Sequence, residues 1–348
     1  MGEEHRGEKM HIQKRATLGD IAGIANVSCA TVSLVLNDKG TFPQSRREEI
    51  KKIAADLNYV PNPLAKALRG GHTRTIGVVT NYFSNIYFRD FYIGLEKIAD
   101  AQGFSFIVSQ SYESLAKEQR QVSKFLEYGV DGLIVLPCSQ EKSHLLAAVG
   151  MGTPTVLISN TLDDDFAVVT PDNVQGTRIA VEHLLSYDDR PILHIAGPQT
   201  QSSQQERLQT FLTTITTHRS CIDADSIVYI AEGLRSQAGY ACMEKILREH
   251  RPPFSLFVCN DETTTGVIRY AKEHGLRLPE DIAIVCFSGD TSFVSMGLSV
   301  SVVAVQAQQM GETTARLLLD LLDASEDNTM LSRITLPTIL FDNFPKTM

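Results

Sequence analysis

The sequence predicts a small all-α segment followed by a larger α/β core of doubly wound parallel sheets. Residues 18–57 carry three short helical patterns and no strand pattern. From residue 76 onward, near-continuous apolar runs alternate with amphipathic helical stretches, the texture of strands covered on both faces. The length, 348 residues at 43% hydrophobic and 21% charged, supplies core material for about two or three domains.

The first helix is expected over 18–25, with Leu18, Ile21, Ala22 and Ala25 at helical spacing. Asn26-Val27 breaks it, and Asn26 is one of the few residues besides glycine that tolerate the left-handed backbone of a tight turn. Ser28 is a good N-cap for a second helix over 29–36, with Val32, Val35 and Leu36 inward. Pro43 suits the first turn of a third helix, in which Ile50, Ile53, Ala54 and Leu57 form the apolar stripe. A short helical piece at 63–69 ends at Gly70-Gly71. Strands are then expected at 76–80, 104–109, 132–136, 155–159, 192–196, 227–230, 256–259, 282–287 and 338–341. Helices are expected at 91–101, 116–127, 176–185, 205–217, 238–249 and 264–274. So many βα units exceed one small sheet and fit two subdomains with a cleft at the carboxyl ends of their strands. A closed βα-barrel fits the same count.

The net charge of −9 is unevenly placed: residues 1–72 carry +3 and residues 73–348 carry −12. A positive head on an acidic body suggests that only the head approaches a polyanion, although +3 over that length also falls within ordinary scatter. Six scattered cysteines form no CxxC pair and no zinc spacing, a pattern of reduced thiols in a cytoplasm. The polar opening residues 1–14 offer no signal-peptide core, and no later run approaches a membrane span. The expectation is a cytoplasmic protein without membrane association. There is no G-x-S-x-G, no H-E-x-x-H, no G-x-G-x-x-G and no phosphate-binding G-x-x-x-x-G-K motif. The nine histidines are dispersed, and Asp163-Asp164-Asp165 lacks an EF-hand frame, so it reads as a solvated turn. Neither an enzyme, a metal nor a cofactor is expected.

A helix, a tight turn and a second helix opening at Ser28 is the arrangement that places a recognition helix in a DNA major groove, but any small helical bundle can imitate it. Here the likeness extends further. The run from Thr17-Leu18-Gly19-Asp20-Ile21-Ala22 through Val27-Ser28-Cys29-Ala30-Thr31-Val32-Ser33-Leu34-Val35-Leu36-Asn37 resembles the start of the LacI/GalR family of bacterial repressors. The stretch Leu57-Asn58-Tyr59-Val60-Pro61-Asn62-Pro63-Leu64-Ala65-Lys66-Ala67-Leu68-Arg69 resembles that family's third-helix end and hinge helix. Ile76-Gly77-Val78, Ser84-Asn85 with Tyr87-Phe88, Val130-Asp131-Gly132, Asp172-Asn173, Ala196-Gly197-Pro198, Asn260-Asp261 and Leu336-Pro337 continue the likeness in order along the chain.

The resemblance implies a transcriptional regulator, a repressor by family habit, whose operator affinity is set by a small molecule in the cleft. It implies an N-terminal extension at 1–15, a helix-turn-helix headpiece at 16–61, a hinge helix and linker at 62–72, and a two-lobed periplasmic-binding-protein-like core at 73–348. The N-lobe would hold 73–172 and 305–330, the C-lobe 173–304 and 331–348, with chain crossings near 171–173, 303–306 and 325–334. Family position gives Cys29, Ala30 and Leu34 as base-reading residues, an apolar set where relatives carry polar side chains. It leaves Thr17, Leu18, Ser28, Thr31, Ser33 and Asn37 for phosphate and flanking contacts, and Asn62, Ala65 and Leu68 for the hinge, with Leu68 as a minor-groove wedge. Tyr87, Phe88, Ser159, Asp172, Arg207, Asn260 and Ser288 are the implied effector residues. Ser159 and Ser288 stand where sugar-responsive relatives place carboxylates, which leaves Asn160 or Asp290 as substitute acceptors, or an anionic ligand such as a sugar phosphate. Implied partners are double-stranded operator DNA, a sugar or sugar derivative, and a second copy in a homodimer. The competing reading is a solute-binding module of the periplasmic type with no DNA role.

Overall fold

The computed structural model describes residues 16–60, 72–83, 86–219, 223–289, 291–324 and 332–344. The chain divides into two units, residues 1–71 and 72–348.

In the first unit three helices close on one apolar cluster: α1 (Leu18–Ala25), α2 (Cys29–Leu36) and α3 (Gln44–Asp56). Ile21, Val32, Val35 and Ile50 are fully buried there. Asn26 takes φ 51° and ψ 51°, and α1 and α2 then meet at 104°, within the range of a helix-turn-helix. Arg46 on α3 reaches back to donate to the Ala25 carbonyl at 2.7 Å, closing the free C-terminal end of α1.

The second unit has two six-stranded sheets. The first contains β1 (Thr75–Thr80), β2 (Ser105–Gln110), β3 (Gly132–Val135), β4 (Thr155–Ile158), β5 (Ala167–Pro171) and β11 (Arg333–Leu336), in the order β11-β5-β4-β3-β1-β2. The second contains β6 (Ile192–Ala196), β7 (Val228–Ile230), β8 (Phe254–Val258), β9 (Ile282–Ser288), β10 (Val300–Val305) and β12 (Thr338–Phe341), in the order β12-β10-β9-β8-β6-β7. All pairings are parallel except that of β12 with β10. Two open sheets exclude the closed barrel that the strand count allowed. β3, β4, β5, β6, β8, β9 and β10 are buried at every position, which is why they read as unbroken apolar runs.

Helices in chain order are α4 (Ile86–Ala101), α5 (Leu115–Glu127), α6 (Ser143–Gly150), α7 (Asn173–Tyr187), α8 (Ser202–His218), α9 (Ala224–Ile227), α10 (Ser236–Glu249), α11 (Asp261–Glu273), α12 (Ser292–Ser295) and α13 (Ala307–Asp323). The sequence reading missed α6, α13, β5, β10 and β11. For α13 the helical spacing of Met310, Thr314, Leu317 and Leu318, all buried, is the signal that finds it. α13 lies against α4 so closely that a β-carbon on Gly311 would sit 2.0 Å from the Phe91 carbonyl oxygen, and one on Gly94 2.0 Å from that of Gln308.

One boundary needs correction. The last crossing does not fall at 325–334, nor does the second lobe take all of 331–348. β11 runs parallel to β5, and the Asp172 amide donates to the Leu336 carbonyl at 2.8 Å, so this strand belongs to the first lobe. The chain crosses at Pro337, which has no N–H to continue a ladder, and β12 joins the second sheet.

Candidate functional site

Two places gather the candidate residues, and the headpiece comes first. Thr17 caps α1: its hydroxyl and its amide both donate to the Asp20 carboxylate at 2.7 Å, and its oxygen accepts from the Asp20 amide. Both donors are therefore engaged within the cap. Leu18 is half-buried and packs on the headpiece core. Ser28 caps α2 by accepting from the Thr31 amide at 3.1 Å, and the two hydroxyls share a further bond at 2.9 Å. Asn37 closes the other end, its amide donating to the Ser33 carbonyl at 2.7 Å. Between these caps Cys29, Ala30 and Leu34 stand exposed, Leu34 at 42%, so this leucine does not pack inward. Asn62, Ala65, Leu68 and the expected hinge helix lie outside the described residues.

The second place is a cavity between the two lobes, at the carboxyl ends of the strands as doubly wound sheets require. Its walls include Asn81 after β1, Leu136 after β3, Ser159 and Asn160 after β4, Asn260 after β8 and Ser288 ending β9. Hydrogen bonds join the lobes beside it: the Thr161 amide donates to Ser202 Oγ at 2.7 Å, and the Ser203 amide to Asn160 Oδ1 at 3.2 Å. The space is about 90 Å3 and opens to solvent, room for about three waters at their liquid volume.

Arg207, on α8, is the charge at its centre and is 7% exposed. Its Nε donates to Asn173 Oδ1 at 3.0 Å, its Nη1 to the Cys259 carbonyl at 2.6 Å, and its plane lies 3.6 Å from the Phe287 ring centroid. Burial pulls its guanidinium down to about 10, still charged at neutral pH. Nη2 is the remaining donor edge for the cavity. Asn260 caps α11 by accepting from the Thr263 amide at 3.0 Å, and its own amide donates to the Leu234 carbonyl at 2.9 Å. Ser288 donates to Asp261 Oδ2 at 3.3 Å. Tyr87 and Phe88 form part of the wall, and burial pushes the Tyr87 phenol up to about 12.

Six of the seven expected effector residues therefore meet here. Asp172 does not: it caps α7, its Oδ1 accepting from the Gln175 amide at 2.8 Å, and its neighbour Asn173 instead holds Arg207. Nor is Asn160 a free substitute acceptor, because its oxygen holds Ser203 and its amide donates to the Pro137 carbonyl at 2.8 Å. Asp290 lies outside the described residues. Asp163 and Asp165 both pair with Lys142, and no cluster suited to a metal ion occurs among the described residues. Among the same residues no single helix is long and apolar enough to cross a membrane.

Comparison with known proteins bears on both places. Residues 17–62 match the family model "Bacterial regulatory proteins, lacI family", and residues 181–341 match "Periplasmic binding protein-like domain". The repressor PurR of Proteus mirabilis (strain HI4320) is 28% identical over 310 residues, covering 88% of this chain and 90% of the relative. PurR of Erwinia tasmaniensis is 26% identical over 330 residues, covering 93% and 95%. The lac repressor dimer bound to operator and the anti-inducer ONPF superposes with a TM-score of 0.78 at 25% identity, over 94% of this chain and 98% of that one. The chain joins a lacI-family headpiece to a periplasmic-binding-protein-like core, as these repressors do. A second solved structure, the regulator CelR in complex with cellobiose, matches at TM-score 0.70 and 26% identity over the same shares.

The chain is a DNA-binding transcriptional repressor with an effector-binding core, and the headpiece match sets aside a solute-binding module without a DNA role. Its relatives are transcriptional regulators, not enzymes. In the core the sequence reading missed Asn81, Gln201, Ser203, Gln204, Leu234 and Phe287 of the cavity wall. Gln201, Ser203 and Gln204 precede Arg207 by one or two helical turns, and that spacing is the signal that could have found them.

Proposed function

We propose that this repressor binds a two-fold operator as a homodimer in the cytoplasm and reads bases through apolar contacts from Cys29, Ala30 and Leu34. The carrying observation is Leu34: a leucine left 42% exposed on a helix whose other large side chains are in or against the core has no folding role. Such a surface suits thymine methyl groups and offers none of the bidentate bonds that Arg, Gln or Asn give. Thr17, Leu18, Ser28, Thr31, Ser33 and Asn37 flank it and take phosphate or edge contacts, and Asn62, Ala65 and Leu68 are assigned to the minor-groove hinge. Around Arg207 the core takes a small sugar-like effector and performs no chemistry. The dimer and operator follow the lac repressor structure, and the sugar follows the CelR–cellobiose complex.

Selection from random duplexes with the full chain tests the reading. The expected product is a near-palindromic site whose half-sites each contain a thymine step that loses its preference in Leu34→Ala. Absence of any enriched site overturns it. For the effector, loss of the ligand-induced change in operator affinity in Arg207→Ala is expected. An unchanged response places the effector elsewhere.

A further inference from the structure

The chain crosses between the lobes from β5 to α7, from β10 to α13 and from β11 to β12, all along one edge of the two sheets. The opposite edge is β2 in the first sheet and β7 in the second, and lobes hinged at the crossings part furthest there. The loop after β2 and the segment after β7 touch across this free edge. Glu113 Oε2 lies against Gly233, 3.5 Å from where a β-carbon would stand, and the Leu234 backbone amide donates to the Glu113 carboxylate. The Arg235 guanidinium covers the Tyr82 ring at 4.6 Å from its centroid, and Tyr82 meets Tyr112 edge-on at 5.6 Å. Leu234 is also part of the cavity wall, and its carbonyl accepts from Asn260. To reach across, Tyr112 and Glu113 take φ 54° and 57°, two successive side-chain-bearing residues in the left-handed region. The fold accepts this unfavourable backbone at the one place where it delivers a carboxyl group to the other lobe.

Glu113 is poorly served there as an anion, because its Oε1 is buried without a hydrogen-bond partner. The titratable and charged groups facing it are Tyr82 after β1, Cys138 after β3 and Arg235 before α10. On α5, Lys117 covers the Tyr112 ring at 4.3 Å, and Glu118 is taken by the Cys138 amide and His144. Burial raises both the Tyr82 phenol and the Cys138 thiol, so neither carries charge at neutral pH. Arg235 is exposed, so water screens its attraction. Burial outweighs it and holds the Glu113 carboxyl above the usual carboxylate range. We propose that Glu113 and Arg235 latch the two lobes at their free edge, and that a proton on Glu113 tightens the latch. Parting the lobes returns the carboxyl to water, where it releases the proton more readily, so acid favours the closed core and alkali the open one. Because Leu234 belongs to the latch and to the cavity wall, this proton governs how readily the cavity opens.

Hydrogen exchange of the full-length protein at pH 8 and pH 5, without effector and corrected for intrinsic rates, tests the proposal. Three amides that bond across the seam are read: Leu234 at the latch, and Thr161 and Ser203, which bond to Ser202 and Asn160 nearer the crossings. The parent is expected to gain about three- to tenfold protection at all three on going to pH 5. Glu113→Gln, which keeps an acceptor without the charge, is expected to hold the pH 5 protection at both values. Glu113→Ala is expected to lose protection at all three at either pH, with the buried strand amides of Leu256 and Ile284 unchanged as the sign of an intact fold. Loss confined to Leu234 makes the contact a local one and overturns the latch. A parent and Glu113→Gln that respond alike to pH, or a parent that closes toward pH 8, overturns the proton's role, and this comparison decides even if Glu113→Ala does not fold. The measurement needs no ligand, so its failure leaves the effector role of the cavity untouched.

Discussion

In the headpiece, the residues that shape the exposed reading face lie between Thr17 and Asn37, and each is positioned by a neighbour three or four places away: Thr17 by Asp20, Ser28 by Thr31, Asn37 by Ser33. The cavity is built the other way. Its walls come from positions spread from Asn81 to Val305, and Arg207 is held by Asn173 and Cys259, 34 and 52 residues distant. A surface made of local caps can change its exposed side chains with little cost to folding. A cavity made of long-range bonds shares its residues with the core, so the same groups hold the fold and meet the ligand.

That contrast predicts unequal responses to perturbation. The largest expected effect is acid destabilisation of the core through His194. This residue is fully buried, stacks on Phe257 at 4.7 Å and meets the Phe257 carbonyl at 3.0 Å. Burial, its largest cause, pulls the imidazole down to about 4. Because the folded value lies below the unfolded one, the unfolded chain takes the proton first. The stability is complete above about pH 6.5 and is lost as pH falls toward 4, amounting to about 3 kcal/mol. Residues 16–60 contain no histidine, so the headpiece has no counterpart. Urea titrations at pH 7 and pH 4 check this, with His194→Gln as the non-titrating control; equal pH slopes for parent and variant would contradict it.

Next comes Gly311→Ala. Its β-carbon meets the Phe91 carbonyl, and forcing α4 and α13 apart costs about 2 kcal/mol. The core transition should melt earlier, while exchange protection of the headpiece amides stays as it was. Ser28→Ala reverses the pattern, with about 1 kcal/mol lost from the headpiece alone, read by hydrogen exchange of α2, and no change in the core transition. The smallest stability effect belongs to Leu34→Ala, within about 0.5 kcal/mol, since the side chain is already half in solvent. Its influence on operator preference should nevertheless exceed that of Ser28→Ala, and the reverse ranking would break the separation between cap and reading face.

The fold was largely legible because its signals are short-range. Ser28 before Cys29–Leu36, Asn26 at the turn, and buried runs such as Ile192–Ala196 can each be read within one window. β5 and β10 escaped although they are buried runs of the same kind, because Thr170-Pro171 and Ser301 interrupt their apolar character. β11 escaped because its burial is mixed and its membership depends on pairing with Val168–Pro171, far behind it in the chain. Asp172 stands outside the cavity wall for a related reason: one carboxylate at the start of a helix reads alike whether it faces a ligand or caps the helix, and here it caps.

From its sequence alone this protein had its headpiece, its doubly wound α/β texture and its resemblance to a repressor family legible, since periodicity, capping and ordered motifs are properties of neighbouring residues. Tertiary structure alone decided which polar groups are spent. Asn160, Asn260 and most of Arg207 are consumed by bonds to distant parts of the chain. The physical reason is that a hydrogen-bonding group has few partners to take, and only the packed chain determines whether those partners come from the protein or from a ligand.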